Sequence, residues 1–180
     1  PAHDIPGLEF AGEVIQAGPR VQGFAVGDRV MGLLAGAGYA EKVVTHHRLA
    51  MKVPESLTWH EAGATPEVYI TAHDALLQCG LVAGETVLIH AAGSGVGVAA
   101  IQIAKMMGAS VVVGTAGSIE KLDRAKALGL DAGANYKTQD FAEVALQATG
   151  GRGVDVVLDV IGADYLEKNR RALAPKGRMV

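Results

Sequence analysis

His90-Ala91-Ala92-Gly93-Ser94-Gly95-Val96-Gly97 follows the apolar run Thr86-Val87-Leu88-Ile89 and leads into a helical pattern, Val96 to Met107. A glycine-rich turn between a strand and a helix points backbone N–H groups and the positive helix end at one place. That arrangement suits a pyrophosphate. Two registers of the G-x-G-x-x-G fingerprint fit. In one, Gly97 is the last glycine, and Ala92 and Ser94 take the first two places. In the other, Gly95 and Gly97 lead to Ala100. A tight turn in an α/β protein that binds no nucleotide fits the same residues. The setting, at the first strand-to-helix turn of a βαβ run, favours a dinucleotide.

The end of the next strand selects the cofactor. Sites for NAD place Asp or Glu there to accept from the ribose 2′-OH. Here the strand ends Val112-Val113-Gly114-Thr115-Ala116-Gly117-Ser118, without a carboxylate. Nothing at that tip would repel a 2′-phosphate, and Ser118, Lys121 and Tyr136 supply hydroxyl, ammonium and phenol donors. The expected cofactor is NADPH. Read alone, Lys121 is a solvated helix residue, and Glu120 beside it favours that reading.

Other chemistries find little support. Cys79 is the single cysteine, so neither an internal disulfide nor a multi-cysteine zinc site is available. His46 and His47 are adjacent, and on a strand they would point to opposite faces. His3, His60, His73 and His90 show no ligand spacing and are expected to be surface or satisfied polar side chains. No Ser/His/Asp set is visible. The chemistry must then come from the cofactor, with the protein supplying orientation and a dry cleft.

Composition bounds the partners. Hydrophobic residues make up 49% of the 180, enough for a sizeable core, which excludes overall disorder. Net charge is −3, no basic run exceeds Arg170-Arg171, and aromatics are 4%, so no nucleic-acid face is expected. No apolar run reaches about 18 residues, so no membrane span is expected. The lone cysteine fits a reducing, cytoplasmic compartment.

The elements that must position these residues fall in two parts. Residues 1–56 read as β-rich, with short apolar stretches at Val14-Ile15, Val30-Met31 and Val43-Val44 between glycine-containing turns. Pro54-Glu55-Ser56 marks a boundary, with Ser56 as the cap of a helix containing Trp59 and Glu61. Residues 57–180 alternate. Helices are expected at Thr71–Gln78, Val96–Met107, Ser118–Leu128, about Asp140–Ala148 and Asp164–Leu173. Strands are expected at Thr86–His90, Ser110–Val113, about Ala134–Tyr136, Val154–Leu158 and Arg178–Val180. This order implies an α/β fold, a Rossmann doubly wound parallel sheet. Ile161 and Gly162 follow the fourth strand, where such a sheet opens its ligand crevice.

Pro6-Gly7-Leu8-Glu9-Phe10-Ala11-Gly12-Glu13-Val14, Gly27-Asp28-Arg29-Val30, Pro66-Glu67-Val68-Tyr69-Ile70-Thr71-Ala72, His90 to Gly97, Asn135-Tyr136-Lys137 and Asp159-Val160-Ile161-Gly162 occur in order. Together they resemble the zinc-independent quinone oxidoreductase branch of the medium-chain dehydrogenase/reductase superfamily, most closely its p53-inducible group. The resemblance covers the whole chain. It implies part of a GroES-like catalytic domain (1–56) followed by a Rossmann NADP-binding domain (57–180) lacking its last strand. The chain then reads as a fragment, and the tyrosine that this group places near the substrate falls upstream of Pro1. No catalytic residue is therefore assigned.

The resemblance carries further expectations. Zinc enzymes of the superfamily have Gly-His-Glu where this chain has Gly7-Leu8-Glu9, and a cysteine ligand where it has Glu67; no bound metal is expected. Thr71 begins a helix in the segment that the family places near the nicotinamide, the other reading being a helix-capping hydroxyl. The cofactor set is Thr71, Ser94, Gly95, Val96, Gly97, Gly114, Ser118, Lys121, Tyr136, Ile161 and Gly162. The expected reaction is hydride transfer from NADPH to a quinone by a full-length homodimer. Reduction of an activated C=C bond in an enal or enone is the alternative, and a nucleotide-binding scaffold without turnover is a third reading.

Overall fold

The computed structural model describes residues 5–180. His3 lies outside the described residues. The chain divides into two compact units, the first ending at Ile70 and the second beginning at Thr71.

In the first unit, β1 (Glu9–Glu13), β2 (Arg29–Leu33) and β3 (Ala50–Lys52) form an antiparallel sheet in that order. Phe10 lies opposite Gly32, and Met31 opposite Met51. Val14 extends the first pairing past β1: its N–H donates to Asp28 O at 2.9 Å, and its carbonyl accepts from Gly27 N–H at 2.9 Å. The strand expected at Val43-Val44 does not form. Both edges of β2 are already occupied, and Val44 is 98% exposed.

Helix α1 (Trp59–Gly63) is capped by Thr58, not Ser56. The Leu57 N–H bonds to Pro54 O at 3.1 Å, which places Ser56 inside a turn. Thr58 instead has Glu61 three residues on. Glu61 N–H donates to Thr58 Oγ1 at 3.3 Å, and Thr58 N–H to Glu61 Oε2 at 2.8 Å, a capping box. Ala62 on α1 is buried with Met31 and Val53. Helical structure therefore starts close to residue 56, while the compact unit continues to Ile70.

Helix α2 (Pro66–Gln78) begins earlier than expected. Proline is well suited to a first helical position because it has no N–H to leave unsatisfied. Thr71 consequently sits within the helix, not at its start. Gly80, at φ +60°, ends it. Gly80 N–H bonds to Leu77 O at 2.8 Å and Leu81 N–H to Leu76 O at 3.1 Å, a Schellman closure.

The second unit is a five-stranded parallel sheet of β4 (Thr86–Ile89), β5 (Val111–Ala116), β6 (Ala132–Asn135), β7 (Val154–Leu158) and β8 (Leu173–Met179). The spatial order is β6-β5-β4-β7-β8. Helices α3 (Gly95–Met106), α4 (Ile119–Lys126), α5 (Phe141–Ala148) and α6 (Leu166–Ala172) connect the strands, with a short 3₁₀ turn before α6. Every residue of β4 is buried, as its apolar run dictates for a central parallel strand. Val87 lies between Val112 and Val156. The order reverses at β4, with β5 to one side and β7 to the other, so a switch-point crevice opens beyond the carboxyl ends of β4 and β7. β8 starts at Leu173, well before the expected Arg178. Pro175 cannot continue a helix, and a register shift between Val154 and Val156 accommodates the longer pairing. Among the described residues, no helix is long and apolar enough to cross a membrane.

Candidate functional site

β4 ends at Ile89 and hands the chain to a turn in which Ala91 adopts φ +50°. Ser94 N–H bonds to Ala91 O at 2.8 Å and closes the turn. Ser94 is then the N-cap of α3, its Oγ accepting from Gly97 N–H at 3.1 Å. A Cβ on Gly97 would run into the Ala91 carbonyl oxygen and come within 2.8 Å of Ala92 Cα. Only glycine lets the helix approach its own turn this closely. Of the two fingerprint registers, the geometry fits the one that ends at Gly97, with Ala92 and Ser94 in the first two places. Gly95 and Val96 form the start of α3 behind Ser94.

The turn forms one wall of a crevice of about 360 Å³. Ala91, Gly93 and Ser94 line it from the turn, Thr115, Ala116 and Gly117 from the tip of β5, and Lys121, Tyr136, Ile161 and Tyr165 from beyond. Four expected site residues thus meet here: Ser94, Lys121, Tyr136 and Ile161. The Lys121 stem lies under the turn, since a Cβ on Gly93 would be 3.0 Å from its Cβ and Cδ. Glu120 does not claim its ammonium; it pairs with Arg124 at 2.9 Å. At the β5 tip, a Cβ on Gly117 would stand 2.6 Å from the Tyr136 phenol oxygen and 3.3 Å from Lys137 Cε. Tyr136 and Lys137 therefore both fold over Gly117. Lys137 escaped the sequence reading, although its adjacency to Tyr136 was a usable signal.

Other expected residues sit around the crevice without lining it. Ser118 Oγ accepts from Lys121 N–H at 3.4 Å and caps α4. Gly114 is buried beneath the turn, where a Cβ would meet Leu130 Cδ1 at 2.7 Å and Ala92 Cβ at 2.8 Å. Gly162, at φ +88°, shares Asp159 with its neighbour: Asp159 Oδ1 accepts from Ile161 N–H at 2.7 Å and Gly162 N–H at 3.1 Å. Thr71 is exposed on α2 and is not a lining residue.

Below the crevice lies a polar chain that the sequence did not disclose. His90, Thr115 and Asn169 are all fully buried. His90 Nδ1 is 3.0 Å from Thr115 Oγ1, and its Nε2 is 2.7 Å from Asn169 Oδ1. The His90 ring packs edge-on against Phe141 and Tyr165, with centroids 4.7 and 4.8 Å away. Burial pushes the imidazole pKa down and the Tyr165 phenol up. His90 is thus a satisfied core histidine.

The positions at which zinc enzymes of the superfamily are expected to carry ligands hold Leu8 and Glu67. Leu8 has no donor side chain. The Glu9 carboxylate accepts the Glu67 N–H at 3.0 Å near the start of α2. Cys79 is buried, and burial raises its thiol pKa. Among the described residues, no group of three His, Cys, Asp or Glu side chains is placed to hold an ion.

Residues 1–78 match the alcohol dehydrogenase GroES-like domain, and residues 95–180 match the zinc-binding dehydrogenase family. Erythronolide synthase EryA2 of Saccharopolyspora erythraea is 46% identical over 97% of this chain, which spans 5% of that protein. Quinone oxidoreductase-like protein 2 of Bos taurus is 38% identical over 97% of this chain, which spans 50% of it. The CurK enoyl reductase structure superposes with a TM-score of 0.89 at 37% identity, covering 98% of this chain and 53% of that one. The chain thus spans half or less of these curated relatives. With two family matches in tandem order and a parallel sheet reversing at β4, the chain belongs to the medium-chain dehydrogenase/reductase superfamily.

Proposed function

We propose that this chain is the cofactor-binding part of an NADPH-dependent oxidoreductase that reduces a quinone without a metal. The reading rests on one observation: a switch-point crevice whose β5 tip lacks a carboxylate and carries Lys121, Tyr136 and Lys137 instead. The first amides of α3 would hold the pyrophosphate, and Ser94 keeps a hydroxyl proton for it while capping the helix. Lys121 and Tyr136 would take the 2′-phosphate, with Lys137 beside them. Ile161 would flank the bound dinucleotide. When bound, NADPH supplies the hydride. A quinone suits the reaction because reduction places charge on oxygens that a few donors stabilise.

A second reading, reduction of a C=C bond conjugated to a carbonyl, is favoured by the likeness to an enoyl reductase structure. Both acceptors need the same cofactor geometry. A panel of one quinone, one enone and one enoyl thioester, run with NADPH on the full-length protein, separates them. Oxidation of NADPH by the quinone alone supports the first reading, and by the enoyl thioester alone the second. Binding of NADPH without turnover of any acceptor would leave a nucleotide-binding scaffold. Homodimer assembly in the reducing cytoplasm belongs to the same proposal, and light scattering on that protein tests the dimer.

A further inference from the structure

Each link of the buried polar chain has its direction fixed by chemistry. Asp159 accepts on both oxygens: Oδ1 from Ile161 and Gly162 N–H, Oδ2 from Asn169 Nδ2 at 2.8 Å. Because a carboxylate only accepts, the Asn169 amide nitrogen must face it, leaving Asn169 Oδ1 toward His90. That oxygen needs a donor, so His90 carries its proton on Nε2. Nδ1 is then an acceptor, and the Thr115 hydroxyl must donate to it. The same hydroxyl oxygen accepts Ala91 N–H at 3.3 Å. The line therefore runs without a gap from Ala91, in the glycine-rich turn, to Ile161 and Gly162 after β7. Ala91 and Ile161 both line the crevice. Residues 90, 115, 159 and 169 come from four different elements or their ends, and the three central side chains are shielded from water, where a half-satisfied network is costly.

We propose that Thr115, His90, Asn169 and Asp159 are positioning residues that couple the two loops flanking the crevice, so that the turn at Ala91 and the loop at Ile161-Gly162 are set together for a bound dinucleotide. The coupling can be tested independently of ligand; its consequence for binding rests on the cofactor reading above. A break at one end leaves a buried donor or acceptor without a partner, and the remaining groups must reorient along the line. The far loop is thereby loosened, although no atom next to it has changed.

The test uses the full-length protein without ligand and then with NADPH. Asn169→Leu keeps the size closely and can neither donate to Asp159 nor accept from His90. Thr115→Val keeps shape and removes the hydroxyl. Amide hydrogen exchange is read at residues 91–94 and 161–162. Asn169→Leu is expected to speed exchange at 91–94 as well as at 161–162, and Thr115→Val to do the reciprocal, each by about tenfold or more. Thr115→Ser, which restores the hydroxyl, is expected to return both loops to the wild-type rate. NADPH should bind about tenfold more weakly to each single variant and no more weakly to the double variant. If Thr115→Val does not fold, Asn169→Leu and Thr115→Ser still decide the question. Exchange that changes only at the mutated end would overturn the coupling, as would additive losses in the double variant. Wild-type protein that shows the coupling yet binds no NADPH would instead overturn the cofactor reading and leave the relay standing.

Discussion

Under the proposed function, Lys121 is the residue on which cofactor choice turns. Its stem is held against Gly93, and among the described residues its ammonium pairs with no carboxylate, Glu120 being taken by Arg124. A charge-assisted hydrogen bond is worth about 1.5–3 kcal/mol. Lys121→Ala is therefore expected to weaken NADPH about ten- to a hundredfold and to leave NADH nearly unchanged, read by titrating both cofactors. Equal losses for the two would remove the phosphate role. Gly117→Ala acts on the same subsite by displacing the Tyr136 phenol, and it should narrow the preference for NADPH over NADH by several-fold. That Ser94, Lys121 and Tyr136 line one crevice was legible because a turn motif and an absent carboxylate point to one short stretch. The roles of Thr115 and Asn169 were not, since their partner His90 is 25 and 79 residues away in sequence. Only the folded sheet brings them under one crevice.

Among the elements, the turn that opens α3 tolerates little change. The atoms that a Cβ on Gly97 would meet are backbone, the Ala91 carbonyl and Ala92 Cα, and they cannot swing aside as a side chain would. Overpacking of this kind costs about 1–3 kcal/mol. Gly97→Ala should lower the unfolding temperature and weaken NADPH by tenfold or more in the same sample, followed by thermal unfolding and titration. A folded variant with wild-type NADPH affinity would mean that the phosphates bind elsewhere. The strands of the second unit were readable because each is a compact β-branched or aliphatic run between turn signals; Val154–Leu158 was placed to the residue. The errors share a cause. Val43-Val44 has strand composition, yet Val44 is 98% exposed and neither residue joins the sheet of β1, β2 and β3, and the start of α2 depends on Pro66, a residue more often read as a breaker than as a first helical residue. Ser56 lost the cap to Thr58 because the choice rests on Glu61 and on the four-residue turn from Pro54 to Leu57. Propensity reports what a segment favours, and pairing partners decide what it becomes.

For the molecule as a whole, acid should act in two stages, each with a local origin. His90 is fully buried, and its pKa is depressed by burial. A base with a folded pKa below its unfolded one binds protons preferentially when unfolded, so its contribution to stability is lost as pH falls below the unfolded value of about 6.5. Carboxylates supply the second stage. Asp155 is held well below the usual carboxylate range by the forked Arg152 guanidinium at 2.6 and 2.7 Å and by Thr86 N–H and Oγ1, both at 2.9 Å. Glu85 is lowered by Arg178, at 2.8 and 2.7 Å, which also donates to the Cys79 carbonyl. These ties fasten the start of β4 to β7 and β8. Their folded pKa values lie below the unfolded ones, so the stabilisation is full above about pH 4 and is lost as pH falls through the folded values. Asp155→Asn keeps the shape but removes the charge. It should cost about 1.5 kcal/mol at pH 7, the low end for charged hydrogen bonds because Arg152 is half exposed. It should also flatten the fall in stability below pH 4 without touching the stage below pH 6.5, which His90→Asn should remove instead. Urea unfolding at pH 7.5, 5 and 3 on the wild type and the two variants reads both stages. If Asp155→Asn loses stability between pH 5 and 3 as steeply as the wild type, the acid limb does not originate at this tie between β4 and β7.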